Sequence, residues 1–133
     1  MKKINLIILG GGMYVCGRGT GTDGTIIPSI ISENILQKIN SCFLLGNTNS
    51  GLTKTKNKIK EIQKKNKNKL KINYSNLSKL GNILKKRKFN CAIVCVPDHL
   101  HYKYIKILLV NNIHVITVKP FVTHSSQAQE LIE

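Results

Sequence analysis

The chain has no tryptophan, and its seven aromatic residues, three phenylalanines and four tyrosines, are thinly spread over 133 residues. Single-stranded nucleic acid is held on stacked aromatic platforms, which this composition does not supply. Acidic residues number only six against 21 basic ones, a formal charge of +15. Such a charge points toward nucleic acid or an anionic surface. Arginine is nearly missing, however: Arg18 and Arg87 alone offer the planar fork used in base and phosphate recognition. A compositional bias toward lysine, asparagine and isoleucine is the simpler account, and nucleic acid is disfavoured as a partner. CxxC pairs are lacking. Cys16, Cys42, Cys91 and Cys95 therefore read as buried thiols of a reducing cytoplasm, not as a disulfide or metal site. No apolar run reaches the roughly 18 residues of a membrane span, and the N-terminus lacks a signal-peptide layout. A soluble, cytoplasmic chain without metal is the expectation.

What is present is glycine in one place. Seven of the ten glycines fall between Gly10 and Gly24, behind an apolar run at residues 4–9 that has the length of a buried parallel strand. Glycine there admits turn dihedrals and lets a bulky anion approach the backbone. A flexible loop is the bland alternative. An apolar pattern at Ile26, Ile27, Ile30, Ile31, Ile35 and Ile39 predicts the next helix, with Thr25 as N-cap and Pro28 in the first turn. A helix N-terminus adds unpaired N–H groups facing the loop. Arg18, among the glycines, could clamp a phosphate or point into water; the clamp is favoured.

The remainder alternates. Strands are expected at 41–45, 71–74, 91–96 and 114–118. Helices are expected at 54–71, dense in lysine and solvated, at 76–87, from about 98 onward, and at 125–133. Crossovers of this length give a doubly wound parallel sheet, Rossmann-like, of about five strands with helices on both faces, in one domain spanning 1–133. Ligands bind such sheets at the strands' carboxyl ends. The glycine loop, residues 47–50, residues 97–101 and Lys119-Pro120 thus share one rim.

The run Ala92-Ile93-Val94-Cys95-Val96-Pro97-Asp98-His99-Leu100-His101, followed by His114-Val115-Ile116-Thr117-Val118-Lys119-Pro120, resembles the nucleotide-binding domain of the glucose–fructose oxidoreductase and inositol dehydrogenase (Gfo/Idh/MocA) family. The likeness is to that family's strand ending in Pro-x-x-x-His and its later Glu-Lys-Pro motif. It implies a dinucleotide cofactor and, in a full-length form, hydride transfer between nicotinamide and a carbohydrate-like alcohol. The implied cofactor positions are Gly10, Gly12 and Met13 in the loop, then Val96, Pro97 and His99 behind the fourth strand. Lys119 and Pro120 complete them. Lys119 and His101 are the implied catalytic residues; His101 could equally be a helix-start histidine satisfied by backbone. His99 and Asp98 could serve as N-caps.

Three departures stand out. Val15 occupies the third fingerprint glycine position, Val118 replaces the glutamate before Lys119, and the chain ends where the family's substrate domain should begin. A non-catalytic dinucleotide-binding or regulatory module, or a truncated product, is the alternative function. The apolar-patterned terminal helix adds an expectation of partnering, a homo-oligomer included. At the end of the second strand, Asn47, Thr48, Asn49 and Ser50 stand where an acidic residue would favour NAD. With Lys54 nearby, they lean toward NADP.

Overall fold

The computed structural model describes residues 2–133. Five parallel strands, β1 (Ile4–Leu9), β2 (Ile39–Gly46), β3 (Asn73–Asn76), β4 (Cys91–Val94) and β5 (His114–Thr117), form one sheet in the order β3-β2-β1-β4-β5. The chain begins at the centre, winds outward to β3, then crosses back over β1 to β4 and β5. The winding reverses between β1 and β4, and the crevice of such a sheet opens there.

Side-chain alternation in β1 divides the core. Leu6 and Ile8 face a cluster shared with Val15, Ile27, Ile30, Ile59 and Ile62. Ile7 and Leu9 face the opposite cluster, with Leu77, Leu80, Ile105 and Leu108. On the first face lie α1 (Met13–Cys16), α2 (Ile26–Ile30), the short α3 (Glu33–Leu36) and α4 (Asn49–Asn66). The second carries α5 (Leu80–Lys86) and α6 (His101–Val110), and α7 (Ser125–Ile132) follows β5. Ile62 is fully buried on α4. Ile62→Ala is expected to cost about 2–5 kcal/mol, read as a lower urea midpoint with unchanged m.

The expected strands are all found, with shifted ends. β2 starts at Ile39, which the isoleucine spacing assigns to a helix, because Ile39 pairs with Ile4 of the central strand. β3 lies at Asn73–Asn76, two residues later than expected, and α4 begins and ends about five residues before the lysine-dense stretch. Lys67, at φ 57°, caps α4 in the left-handed region. The single helix expected from Thr25 to Ile39 is broken. It divides into α2 and α3 with Ile31 and Ser32 between them, and a separate turn that was not expected, α1, forms directly behind Gly12, ahead of the loop at residues 17–24. Thr25 stands at the N-cap of α2, yet its side chain makes no capping bond. Among the described residues no helix is long and apolar enough to cross a membrane.

Candidate functional site

The sheet's geometry delivers three backbone segments to one place. Gly10–Gly12 leave β1, Gly46–Thr48 leave β2, and Cys95–Asp98 leave β4. Together with Leu77 they line a cleft of about 460 Å³ at the strands' carboxyl ends. Of the residues singled out in the sequence, Gly10, Gly12, Met13, Arg18, Asn47, Thr48, Val96 and Pro97 reach it. Asn49, Ser50, His99, His101, Lys119 and Pro120 are not among its lining residues. Asn49 and Ser50 form the first turn of α4, and His99 sits exposed in a short 3-10 turn, Asp98–Leu100.

The glycines have different reasons. Gly10 has φ 103°, and a Cβ there would overlap the Cys95 carbonyl oxygen. The backbone demands glycine. Gly12 has φ −90°, and a Cβ on it would meet nothing within 4 Å. Its space opens into the cleft, so the fold leaves room for an incoming group. A phosphate close to the Gly10–Gly12 backbone fits this cradle. Val15, at the third fingerprint position, is fully buried in the core of the first face.

Beneath the loop lies Thr55, 1% exposed. Its hydroxyl donates to the Gly11 carbonyl at 2.7 Å and stands 3.5 Å from Arg18 Nη1. Sequence reasoning missed this residue, although a signal existed. Thr55 shares helical spacing with the apolar anchors Leu52, Ile59 and Ile62, and a hydroxyl at a core-facing position needs a buried partner. Thr48 caps α4 by accepting from the Gly51 N–H at 3.0 Å.

Arg18 does not extend freely over the loop. Its Nη1 donates to the Gly51 carbonyl at 2.8 Å, carrying the guanidinium to the first turn of α4. Further along α4 the loop is pinned by Asp23, which pairs with Lys65 at 2.9 Å and Lys58 at 3.6 Å. The Lys65 hydrogen bond holds the Asp23 carboxyl below the usual carboxylate range, and Asp23 raises Lys65 in return. Asp23 thus contributes stability above its unfolded pKa, and the contribution fades as pH falls through the lowered folded value. Asp23→Asn is expected to flatten the acid limb of a loop-order profile, for example amide exchange across residues 17–24 against pH. An unchanged limb would show that the pair does not hold the loop.

Among the lining residues, Arg18 and Asp98 are the charged ones. Cys95 also lines the cleft; burial pushes its thiol up to about 11, so it stays neutral at ordinary pH. Burial raises Cys16 as well and takes Cys42 to about 12; these are packing thiols. No cluster of three or more His, Cys, Asp or Glu side chains suited to a metal gathers among the described residues. A second concavity, about 690 Å³ and walled by Lys60, Lys64, Lys67, Lys69 and Lys71, lies at the far end of α4, away from the strand termini.

At the rim's other end, His101 is fully buried at the start of α6. Its Nε2 lies 2.9 Å from the Val96 carbonyl oxygen. Its Nδ1 lies 2.6 Å from that of Pro120 and 3.3 Å from that of Phe121. In either tautomer a ring N–H donates to one of these segments. The imidazole thereby bridges the strand end that lines the cleft to the segment just past Lys119. Lys119 itself is exposed, behind β5, and precedes Pro120 through a cis peptide.

Comparison with known proteins agrees with this architecture. The family model GFO_IDH_MocA, described as an oxidoreductase family with an NAD-binding Rossmann fold, matches residues 47–133. No curated protein matches the chain. A putative oxidoreductase of Parabacteroides merdae superposes with TM-score 0.75 at 18% identity, covering 98% of this chain and 28% of that one. A 3-ketoreductase of Actinomadura kijaniata, solved with NADP and TDP-benzene, gives 0.65 at 16% identity over 98% and 34%. The WlbA dehydrogenase of Chromobacterium violaceum, solved with NADH and UDP-GlcNAcA, gives 0.66 at 16% identity over 99% and 32%. The chain spans about a third of these proteins' length or less, and at such identities the likeness shows the fold.

Proposed function

The chain belongs to the oxidoreductase family with an NAD-binding Rossmann fold whose model matches residues 47–133, and from that premise we propose the reaction its cleft serves. The chain binds the dinucleotide of an enzyme that moves a hydride between nicotinamide and a carbohydrate-like alcohol. The observation that carries this reading is the cleft itself, where Gly10–Gly12, the end of β2 and Val96-Pro97 meet at the reversal of the strand order. The bound nicotinamide supplies the redox chemistry. The protein's residues bind and orient it. Gly10–Gly12 would admit the pyrophosphate, the residues after β2 would take the adenosine ribose, and Val96-Pro97 would border the path toward nicotinamide. The 3-ketoreductase with its TDP ligand and the dehydrogenase with UDP-GlcNAcA support a sugar-like substrate in a full-length form.

Lys119 is the catalytic candidate, held at the rim where substrate and nicotinamide would meet. His101 acts through it as a positioning residue, because its ring is buried against backbone carbonyls. NADP is the favoured dinucleotide: residues 47–50 carry amides and hydroxyls, with no carboxylate to receive a ribose diol.

Titration with NADH and NADPH, followed by the reduced nicotinamide's own emission, tests the reading without tryptophan interference. Saturable binding is expected, tighter for NADPH. Failure of both to bind at millimolar concentration would overturn the dinucleotide reading. Lys119→Met is expected to leave dinucleotide affinity within about threefold while lowering turnover of a full-length form by roughly 10²–10⁴. Loss of cofactor affinity instead would make Lys119 a binding residue only.

A further inference from the structure

We propose that Arg18, carried by the loop between α1 and α2, is the receptor for the cofactor's 2′-phosphate and sets the preference for NADP. The proposal rests on the dinucleotide reading above and deepens it by naming the residue and the chemical group it recognises.

Geometry moves Arg18 away from the pyrophosphate cradle. Its guanidinium is tied by Nη1 to the Gly51 carbonyl, 2.8 Å away on the first turn of α4. That turn follows the end of β2, where the adenosine ribose of a bound dinucleotide lies in this fold class. Room for the arginine is built in. A Cβ on Gly51 would stand 2.7 Å from Arg18 Nη1 and 2.8 Å from Thr48 Oγ1. The delivering loop is set by Gly17, whose φ is 71° and whose Cβ would overlap the Thr22 carbonyl. Asp23, through Lys58 and Lys65, anchors its other end.

The charge arithmetic points to an anion. Arg18 is half-buried and lines the cleft, and among the described residues no carboxylate pairs with it. Its hydrogen bonds go from Nη1 to neutral oxygens of Gly51 and Thr55. A guanidinium has five N–H donors in a planar fork, so most of its donor capacity remains for a ligand. Two hydroxyl residues line the same cleft, Thr55, whose Oγ1 is 3.5 Å from Nη1, and Thr48 at the start of α4. A fork with adjacent hydroxyls and no nearby carboxylate suits a phosphate monoester, for which bidentate charge-assisted bonds are strong. Asp98, the acidic lining residue, belongs to the β4 side of the cleft and not to the α4 turn. A ribose diol alone would leave the arginine without a counter-charge.

Binding of NADPH and NADH, with 2′,5′-ADP and 5′-AMP as competitors, tests this on the chain and on Arg18→Met. In the unaltered chain 2′,5′-ADP is expected to compete at least tenfold better than 5′-AMP. In Arg18→Met, NADPH affinity is expected to fall on the order of 10- to 100-fold, NADH affinity to change by less than about threefold, and the 2′,5′-ADP advantage to vanish. Arg18→Lys, which keeps the charge and loses the planar fork, provides a second readout if Arg18→Met does not fold; it should lower NADPH affinity and leave NADH affinity within about threefold. Equal losses for NADPH and NADH would place Arg18 on the pyrophosphate and overturn the proposal. Unchanged selectivity would overturn it too, leaving the dinucleotide reading intact. An unaltered chain that binds neither dinucleotide would overturn both.

Discussion

Gly12→Ala is expected to weaken dinucleotide binding on the order of 100-fold, close to 3 kcal/mol, while the melting temperature moves by no more than about 3 °C. The reason is the difference between two glycines two residues apart. At Gly12 the φ of −90° lies outside the left-handed region, and an added methyl meets no protein atom within 4 Å. No protein atom opposes a methyl there, and it would intrude on a ligand lying against the backbone. At Gly10 the φ is 103°, and the methyl would overlap the Cys95 carbonyl and sit 2.7 Å from its carbon. Gly10→Ala should therefore cost about 3 kcal/mol or more of stability, a melting decrease near 10 °C. Thermal melts and NADPH titrations of both variants separate the roles. If Gly12→Ala melts as low as Gly10→Ala, the glycine serves the fold and the cradle argument fails.

The second large effect is expected at His101. His101→Leu removes the ring that lies between the carbonyls of Val96 and Pro120, at 2.9 and 2.6 Å. The neutral ring donates to one of the two carbonyls, and a buried carbonyl left without its donor costs about 1–3 kcal/mol, so a loss of that size is expected from urea unfolding. A stability loss alone would be compatible with any buried polar residue. The positioning role requires a local signature: amide exchange across residues 118–122 should rise about tenfold or more over that across β1. In a full-length form, turnover should fall more than cofactor affinity does. Uniform loosening of the sheet, with residues 118–122 no more affected than β1, would reduce His101 to a core residue.

The alternation of elements was legible because its signals are local. Buried parallel strands read as apolar runs, as in residues 4–9, and Leu77, Leu80, Ile83 and Leu84 mark one helix face within a dozen residues. Helix ends were less legible. Lys67 stops α4 through a left-handed backbone that lysine spacing does not announce, and Ile39 follows its strand partner Ile4 over its own isoleucine periodicity. The rim was legible for a topological reason, since parallel crossovers bring every strand's carboxyl end to one edge.

Local pattern thus carries the alternating strands and helices, the glycine-rich turn, the parallel sheet and the rim formed by the strands' carboxyl ends. The order β3-β2-β1-β4-β5, the extra turn directly behind Gly12 and the partners of the polar side chains depend instead on contacts between distant segments. Arg18 finds Gly51 across 33 positions, Thr55 finds Gly11 across 44, and His101 finds Pro120 across 19. Such bonds form because the sheet first brings distant backbone segments together and removes water from between them; the polar groups buried there must then pair with whatever the fold has placed within reach.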